Sequence, residues 1–404
     1  MTDTVTPGAP PATGDEARVL ALVEDLLAAH PPQDTPPEAF LGAQFDRGLA
    51  WVHFPEGSGG LGLPARLQRL VNDRLSAAGA PSAYARNPIG HGMGAPTIVT
   101  HGSPDQRQRY LRPLFTGEEI WCQLFSEPGA GSDVASLSST AVRDGDEWVL
   151  NGQKVWTTLA HLARWGMVIA RTDPEAPKHA GMTYFVVDMH APGVEVRPLR
   201  QMTGEAEFNE VFFTDVRIPD RERLGAVGEG WRVALTTLMN ERVAIGGAVQ
   251  PSRGSGIIRE VLRAWERTDR RDAVRRDAVV RLWIRAEVLR LTNIRAAQRR
   301  ATGNPGPEGS VGKILSAELN KDVTELAVDL LGAAGMRYTS YEMVRPSAAL
   351  AWDCPQKAFL RMRANSIEGG TTEVMKNILG ERVLGLPGDV RVDKDRPWKD
   401  VPRS

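Results

Sequence analysis

DGDEWVLNGQKVWTT, Asp144 to Thr158, sets short apolar pieces around turn signals, a texture that reads as a β-hairpin. GMVIART, GMTYFVVDM, GVEVRPL and EVFFTDVRIP follow as strand candidates, separated by Pro, Asp and Gly. Together they predict a β domain over residues 121–225. No βαβ repeat and no GxGxxG accompanies these strands, which argues against a dinucleotide-binding Rossmann domain.

On either side of this zone the periodicity is helical. Before it, ARVLALVEDLLAAH (Ala17–His30) and the stretch from Leu63, LPARLQRLVNDRLSAAG, carry apolar residues at helical spacing. A third helix is expected after Ser103, a suitable N-cap, with Pro104 in its first turn. After it come RVALTTLMNERVAIGGAV, the long amphipathic DAVRRDAVVRLWIRAEVLRLTNIRAAQRR, and SVGKILSAELNKDVTELAVDLLGAAG, whose final glycine can cap its helix. The expected organisation is a mixed α+β chain. It has an N-terminal helical domain with a polar leader (1–120), a central β domain (121–225), a helical bundle (226–390) and a polar tail (391–404).

Bulk properties narrow the function. The 404 residues, 42% of them apolar, suffice for a buried core and for two or three domains. A formal net charge of -1 implies no acidic polymer as partner. Twelve arginines against five acids fall between residues 261 and 300. That run reads as a solvated helix face, or as a surface for anionic phosphate groups. No aromatic interleaving points to nucleic acid. Two cysteines, Cys122 and Cys354, suggest neither a disulfide framework nor a metal motif, and no HExxH is present. The polar, Pro-rich start lacks the pattern of a signal peptide. No run of about 18 apolar residues suggests a membrane span, so a cytoplasmic protein is expected.

Several residues stand out chemically. In SEPGAGSD (Ser126–Asp133) glycines let backbone approach a planar or phosphorylated ligand, and N–H groups and hydroxyls can bond it; the alternative is an ordinary turn capped by Ser126 and Ser132. Trp156 and Thr158 alternate along one strand, offering an indole and a hydroxyl on one face; the alternative is a core tryptophan.

WCQLFSEPGAGSDVASL (Trp121–Leu137), NGQKVWTT (Asn151–Thr158) followed by FNEVFFTDVRIP, and GGTTEVMKNILGERVLGLP (Gly369–Pro387) closely resemble the flavin-dependent acyl-CoA dehydrogenases. The resemblance runs from about Gly90 to Pro387. It implies an acyl-CoA dehydrogenase-like fold with an N-terminal helical domain, a central β domain and a C-terminal four-helix bundle. It also implies FAD as cofactor, and oxidation of an acyl-CoA thioester to a trans-2-enoyl-CoA. Electrons would pass to an electron-transferring flavoprotein. A homotetramer or homodimer is expected; the alternative is a subunit of a hetero-oligomer whose partner completes the site.

By the same resemblance Ser126 contacts the isoalloxazine through its hydroxyl, with Leu124 and Phe125 at backbone positions along that edge. Trp156 packs on the ring system and Thr158 lies near N5. Thr371 lies near the adenosine portion, with Glu373 in the same segment. Ser132 and Arg242 serve the CoA portion. Three departures are visible. Leu159 stands where an asparagine is usual, the Arg-x-x-Phe-Gly segment is replaced by WERTDRRDAVRRD, and Gly-Gly-x-Gly becomes GAAG, Gly332–Gly335.

The reaction needs a carboxylate at the substrate Cα and stabilisation of enolate charge. Most relatives carry that glutamate where this chain has Gly369. Glu368 sits one residue early, and one residue of slip redirects a side chain. Branches with glycine at the late site place the base on a bundle helix just before an arginine, a position occupied here by Glu241. Glu241 is therefore the expected base and Glu368 the alternative, while the Gly369 amide retains its role toward the thioester oxygen.

Overall fold

The computed structural model describes residues 14–245, 253–301, 308–338, 340–346, 354–388, 390, 393 and 395–401. The chain divides into two compact units, Met1–Asn87 with Ile98–Glu119, and Pro88–Thr97 with Ile120–Ser404.

The first unit is helical. It contains α1 (Gly14–Ala29), α2 (Pro37–Asp46), α3 (Gln68–Ala77), α4 (Ala83–Arg86), the end of α5 (Ala95–His101) and α6 (Pro104–Thr116). Val19, Val23 and Leu26 recur at helical spacing along α1 and bury against Phe40, Leu49 and Val71. Each such side chain contributes about 1.5–3 kcal/mol. Ser103 caps α6 as its sequence predicts. Its hydroxyl accepts from Gln106 N–H (3.2 Å) and Gln106 returns an acceptor to Ser103 N–H (2.8 Å).

The second unit holds an eight-stranded sheet. Its strands are β1 (Trp121–Leu124), β2 (Thr140–Asp144), β3 (Glu147–Thr158), β4 (Trp165–Arg171), β5 (Met182–Asp188), β6 (Val194–Pro198), β7 (Phe208–Pro219) and β8 (Arg223–Leu224). The order is β6-β7-β3-β2-β4-β5-β8, with β1 parallel to β4. The stretch expected to hold a hairpin is instead largely one strand, since β3 runs from Glu147 through Asn151–Gly152 to Thr158. Its hairpin partner is β2 upstream, paired from Thr140↔Asn151 to Asp144↔Glu147 and turned at Gly145, φ +65°. Alternate residues such as Leu150, Val168, Phe185, Val211 and Val216 form its core.

The remaining helices are α7 (Gly230–Ile245), α8 (Ile258–Arg267), α9 (Ala273–Ala301), α10 (Glu308–Leu330), α11 (Pro355–Met362) and α12 (Thr372–Arg382). Ile258, Val261, Leu282, Leu319 and Val323 are among the buried residues that join α8, α9 and α10. The cap of α10 differs from expectation. The left-handed glycine just after the helix is Gly332, φ +58°, whereas Gly335 lies in a following 3-10 turn, where an added Cβ would meet the Val328 carbonyl at 2.5 Å. GAAG thus keeps glycine at the two positions that need it.

Much of the arginine-rich run is a solvated face. Arg281 pairs with Asp277 and Arg285 with Asp322, both at 2.6 Å between exposed partners. The Pro88–Thr97 segment contains a π-helical turn, Gly90–Gly94, and its Thr97 hydroxyl reaches Thr237 of α7 at 2.9 Å. Residues 395–401, expected within a polar tail, pack on the loop between β4 and β5, where Trp398 N–H donates to the Ala176 carbonyl (3.0 Å). Among the described residues no helix is long and apolar enough to cross a membrane.

Candidate active site

The loop after β1 is fixed from inside. Glu127 and Ala130 exchange two backbone hydrogen bonds of 3.0 Å, closing a tight turn around Pro128–Gly129. The Glu127 carboxylate accepts from Ser138 N–H (2.6 Å), Ser139 N–H (3.0 Å) and the Lys154 ammonium (2.8 Å). Lys154, fully buried, also donates to the Phe125 (3.1 Å) and Ile169 (2.9 Å) carbonyls. Its three donors are thus all used, and they tie β1, β3 and β4 to one loop. Burial raises the Glu127 carboxyl, but Lys154 and the serine donors outweigh it and hold the group at about 2.

On the outer side of this lock sit the residues expected to meet a ligand. Leu124 and Phe125 are buried, and Phe125 meets Tyr184 edge-on at 5.8 Å. Ser126 is half-buried, and its carbonyl accepts from Val155 N–H (2.9 Å). Ser132 is exposed farther along the loop. Gly129 and Gly131 have φ outside the left-handed region, and nothing lies within 4 Å of a Cβ built on either. Neither backbone conformation nor packing within the chain requires glycine there.

The pairing of β3 with β7 is interrupted between Lys154 and Thr157. Trp156 sits in this bulge at φ +60°, so the simple alternation expected of Trp156 and Thr158 is replaced by a local kink. Thr157 is buried between exposed Trp156 and half-buried Thr158. Trp156 is 59% exposed and meets the Phe208 ring at 5.9 Å and 83°. Leu159 is left-handed as well, φ +53°, and its N–H donates to the Glu207 carbonyl (2.8 Å). Asparagine tolerates that conformation better than leucine, a backbone reason for the asparagine that the family resemblance leads one to expect here. Here burial of the leucine side chain offsets the cost.

Phe208 leads to the late loop. The Arg361 guanidinium lies 5.4 Å from its ring centroid. Arg361 pairs with buried Glu207 (3.0 Å) and with Glu368 (3.0 Å), and Asn365 donates to Glu368 at 2.6 Å. Burial raises the Glu207 carboxyl and Arg361 draws it back. Both oxygens of Glu368 are engaged with Arg361, one of them shared with Asn365. Gly369 and Gly370 follow at φ +62° and +92°, which explains the paired glycines. Thr371 caps α12 by accepting from Val374 N–H (3.0 Å), and Glu373 is exposed in the first turn. The Thr372 hydroxyl is buried without a hydrogen-bond partner among the described residues.

The structure therefore connects Ser126, Trp156, Thr158, Glu368 and Gly369 through β3, Phe208 and Arg361, while Ser132 lies apart on its loop. The backbone of Glu241 and Arg242 continues α7, but their side chains lie outside the described residues. Sequence reasoning missed the Glu127–Lys154 lock and the Glu207–Arg361 pair. Lys154, a charge at a buried position of β3, was the available signal for the first; Glu207 in the loop before β7 and Arg361 on α11 carried none.

The acyl-CoA dehydrogenase N-terminal, middle and C-terminal domain families match residues 19–118, 122–216 and 228–384 in turn. The chain belongs to the acyl-CoA dehydrogenase family. It is 39% identical over 346 residues to acyl-CoA dehydrogenase IpdE1 of Mycobacterium tuberculosis, covering 85% of this chain and 86% of that one. The solved Tcur3481-Tcur3483 steroid ACAD superposes with a TM-score of 0.72 at 25% identity, covering 94% of this chain and 99% of that one. The ChsE4-ChsE5 complex from Mycobacterium tuberculosis gives 0.70 at 27% identity, with 95% and 100% covered.

This acyl-CoA dehydrogenase is an oxidoreductase with FAD as its cofactor. The residues fit such a group. An exposed indole beside a bulge, two glycines facing open space, and an unpartnered buried hydroxyl at a helix N-terminus suit a flat ligand bearing hydroxyls and phosphates.

Proposed function

We propose that this chain is a subunit of a hetero-oligomeric acyl-CoA dehydrogenase that forms a trans-2-enoyl-CoA from a steroid-derived acyl-CoA thioester, with electrons leaving to an electron-transferring flavoprotein. Two similar solved proteins carry paired names, one described as a steroid ACAD and the other as a complex. The unusual arginine segment from the end of α8 into the start of α9 supports a partner that completes the site.

The observation that carries the catalytic part is the engagement of Glu368. An ion pair with Arg361 and a bond from Asn365 hold its carboxylate. Position 241, one helical turn after buried Thr237, is then the place from which a base serves Cα.

When bound, FAD supplies the acceptor for the hydride from the substrate Cβ. Ser126, with the backbone of Leu124 and Phe125, would hold the flavin edge, Trp156 would pack on the rings and Thr158 would bond beside them. Thr371, with Glu373 in its segment, serves the adenosine side. Glu241 takes the α-proton, and the Gly369 N–H donates to the thioester oxygen as enolate charge develops. Ser132 and Arg242 hold the CoA portion.

The test is anaerobic bleaching of the purified flavoprotein by a panel of acyl-CoA thioesters, with the chain expressed alone and with its genomic neighbour. Bleaching that requires the second chain supports the reading. Full turnover by the lone chain overturns the hetero-oligomer, and no bleaching by any thioester in either form overturns the activity.

A further inference from the structure

The C-terminal segment packs on the loop between β4 and β5. Pro397 bridges Pro177, Trp398 N–H donates to the Ala176 carbonyl (3.0 Å) and Lys399 N–H to the Pro174 carbonyl (3.1 Å). The Trp398 indole is buried, with the Arg171 guanidinium 4.6 Å from its centroid. Arg171 is buried too. It donates to the Ala135 and Lys178 carbonyls, both at 2.7 Å. The Lys178 ammonium in turn bridges Asp133 (2.5 Å) and Asp393 (2.8 Å).

Two ties thus run from this segment to the loop that carries Ser132. One passes from Trp398 through Arg171 to Ala135, the other from Asp393 through Lys178 to Asp133. Asp133 adjoins Ser132 directly and also accepts from Ser136 (2.6 Å). An indole covering a guanidinium shields its bonds to backbone carbonyls from water, which strengthens them. The loop is locked at its β1 end by Glu127 and Lys154; its Ser132–Ala135 portion relies on Arg171 and Lys178. The family match ends at residue 384, so the segment lies beyond it.

We infer that the C-terminal segment around Trp398 is a strap that positions the Ser132–Ala135 loop, and that Trp398 is thereby a positioning residue for the CoA portion of the substrate. The inference rests on the CoA role proposed for Ser132. On this proposal the loop's contacts to CoA, remote from the reacting bond, are made equally in ground and transition states. Loosening them raises KM and leaves kcat comparatively untouched.

The experiment compares wild type, Trp398→Ala, Trp398→Phe and Lys399→Ala as full chains with any required partner. Steady-state kinetics use an acyl-CoA that bleaches the wild type, and calorimetry uses free coenzyme A. Trp398→Ala should raise KM and weaken coenzyme A binding about fivefold or more, with a much smaller change in kcat. Trp398→Phe, which keeps a ring under Arg171, should recover most of the loss. Lys399→Ala removes only an exposed pair with Glu175 and should match wild type. Trp398→Ala with KM and coenzyme A affinity within about twofold of wild type overturns the strap, even if it melts earlier. Wild type that binds neither coenzyme A nor any thioester overturns the acyl-CoA reading itself, and the strap's proposed role with it.

Discussion

The Tyr184 phenol and the Thr237 hydroxyl lie 3.0 Å apart, both fully buried, and Thr237 also meets Thr97 at 2.9 Å. Burial pushes the phenol above its ordinary range, so Tyr184 stays protonated. This hydroxyl chain joins β5 to α7 one turn before position 241, while Phe125 packs on the other side of Tyr184. Thr237→Val keeps the shape but removes the shared partner. It should cost about 1–3 kcal/mol, read as a lower urea midpoint. Turnover should fall more than KM rises, because the helix carrying the proposed base, Glu241, loses an anchor. An unchanged midpoint would show that the chain does not hold α7.

The Glu127–Lys154 pair has a clear sign in pH. Its carboxyl sits at about 2 in the fold against an ordinary value of 4.5. Its stabilisation is therefore present above about 4.5 and is lost as pH falls toward about 2. Glu127→Gln leaves Lys154 charged and buried, and should destabilise by about 3–5 kcal/mol. The same variant should flatten the loss of stability between those pH values. A variant as acid-sensitive as wild type would rule out this pair as the source.

The contrast between what could be read from the residues and what could not follows from range. The cap at Ser103 and the turn at Gly145 depend on neighbours within a few positions and were legible, whereas the run of β3 straight through Asn151–Gly152 was not. β1 and β8, four and two residues long, carry too little pattern. The left-handed Trp156 arises from a register shift against β7, fixed by residues about fifty positions away. Lys154 and Glu127 are 27 apart, and Trp398 packs over Arg171, a partner far upstream in the chain. The candidate flavin loop was legible as a motif. The locks that hold it are tertiary.

Glycines separate packing from ligand demands. Gly370 has φ +92° and its added Cβ would meet Met375 Cε at 2.6 Å. Gly370→Ala should therefore destabilise by about 1–3 kcal/mol with or without cofactor. Gly129→Ala meets open space and should leave the melting of flavin-free protein unchanged. Its effect should appear as reduced FAD retention on gel filtration. Equal FAD content in wild type and Gly129→Ala would mean that the open side of this turn does not face the cofactor.

The assignment of the base turns on an exchange of positions. Glu241→Gln should keep the yellow cofactor and lower turnover by about 100- to 10,000-fold. Glu368→Gln loses charge opposite Arg361, which still has Glu207, so stability should fall by about 1–3 kcal/mol while turnover stays within about tenfold. Gly369→Glu, added to Glu241→Gln, puts a carboxylate at the late position that the family resemblance implies for the base. At φ +62° a side chain there costs about 1–2 kcal/mol, small enough for the double variant to fold. Partial recovery of flavin bleaching in the double variant is the expected outcome, because it requires both positions to approach the same substrate carbon. If Glu241→Gln bleaches at the wild-type rate and Glu368→Gln alone is inactive, the base lies in the late loop, and the ion pair with Arg361 must open for catalysis.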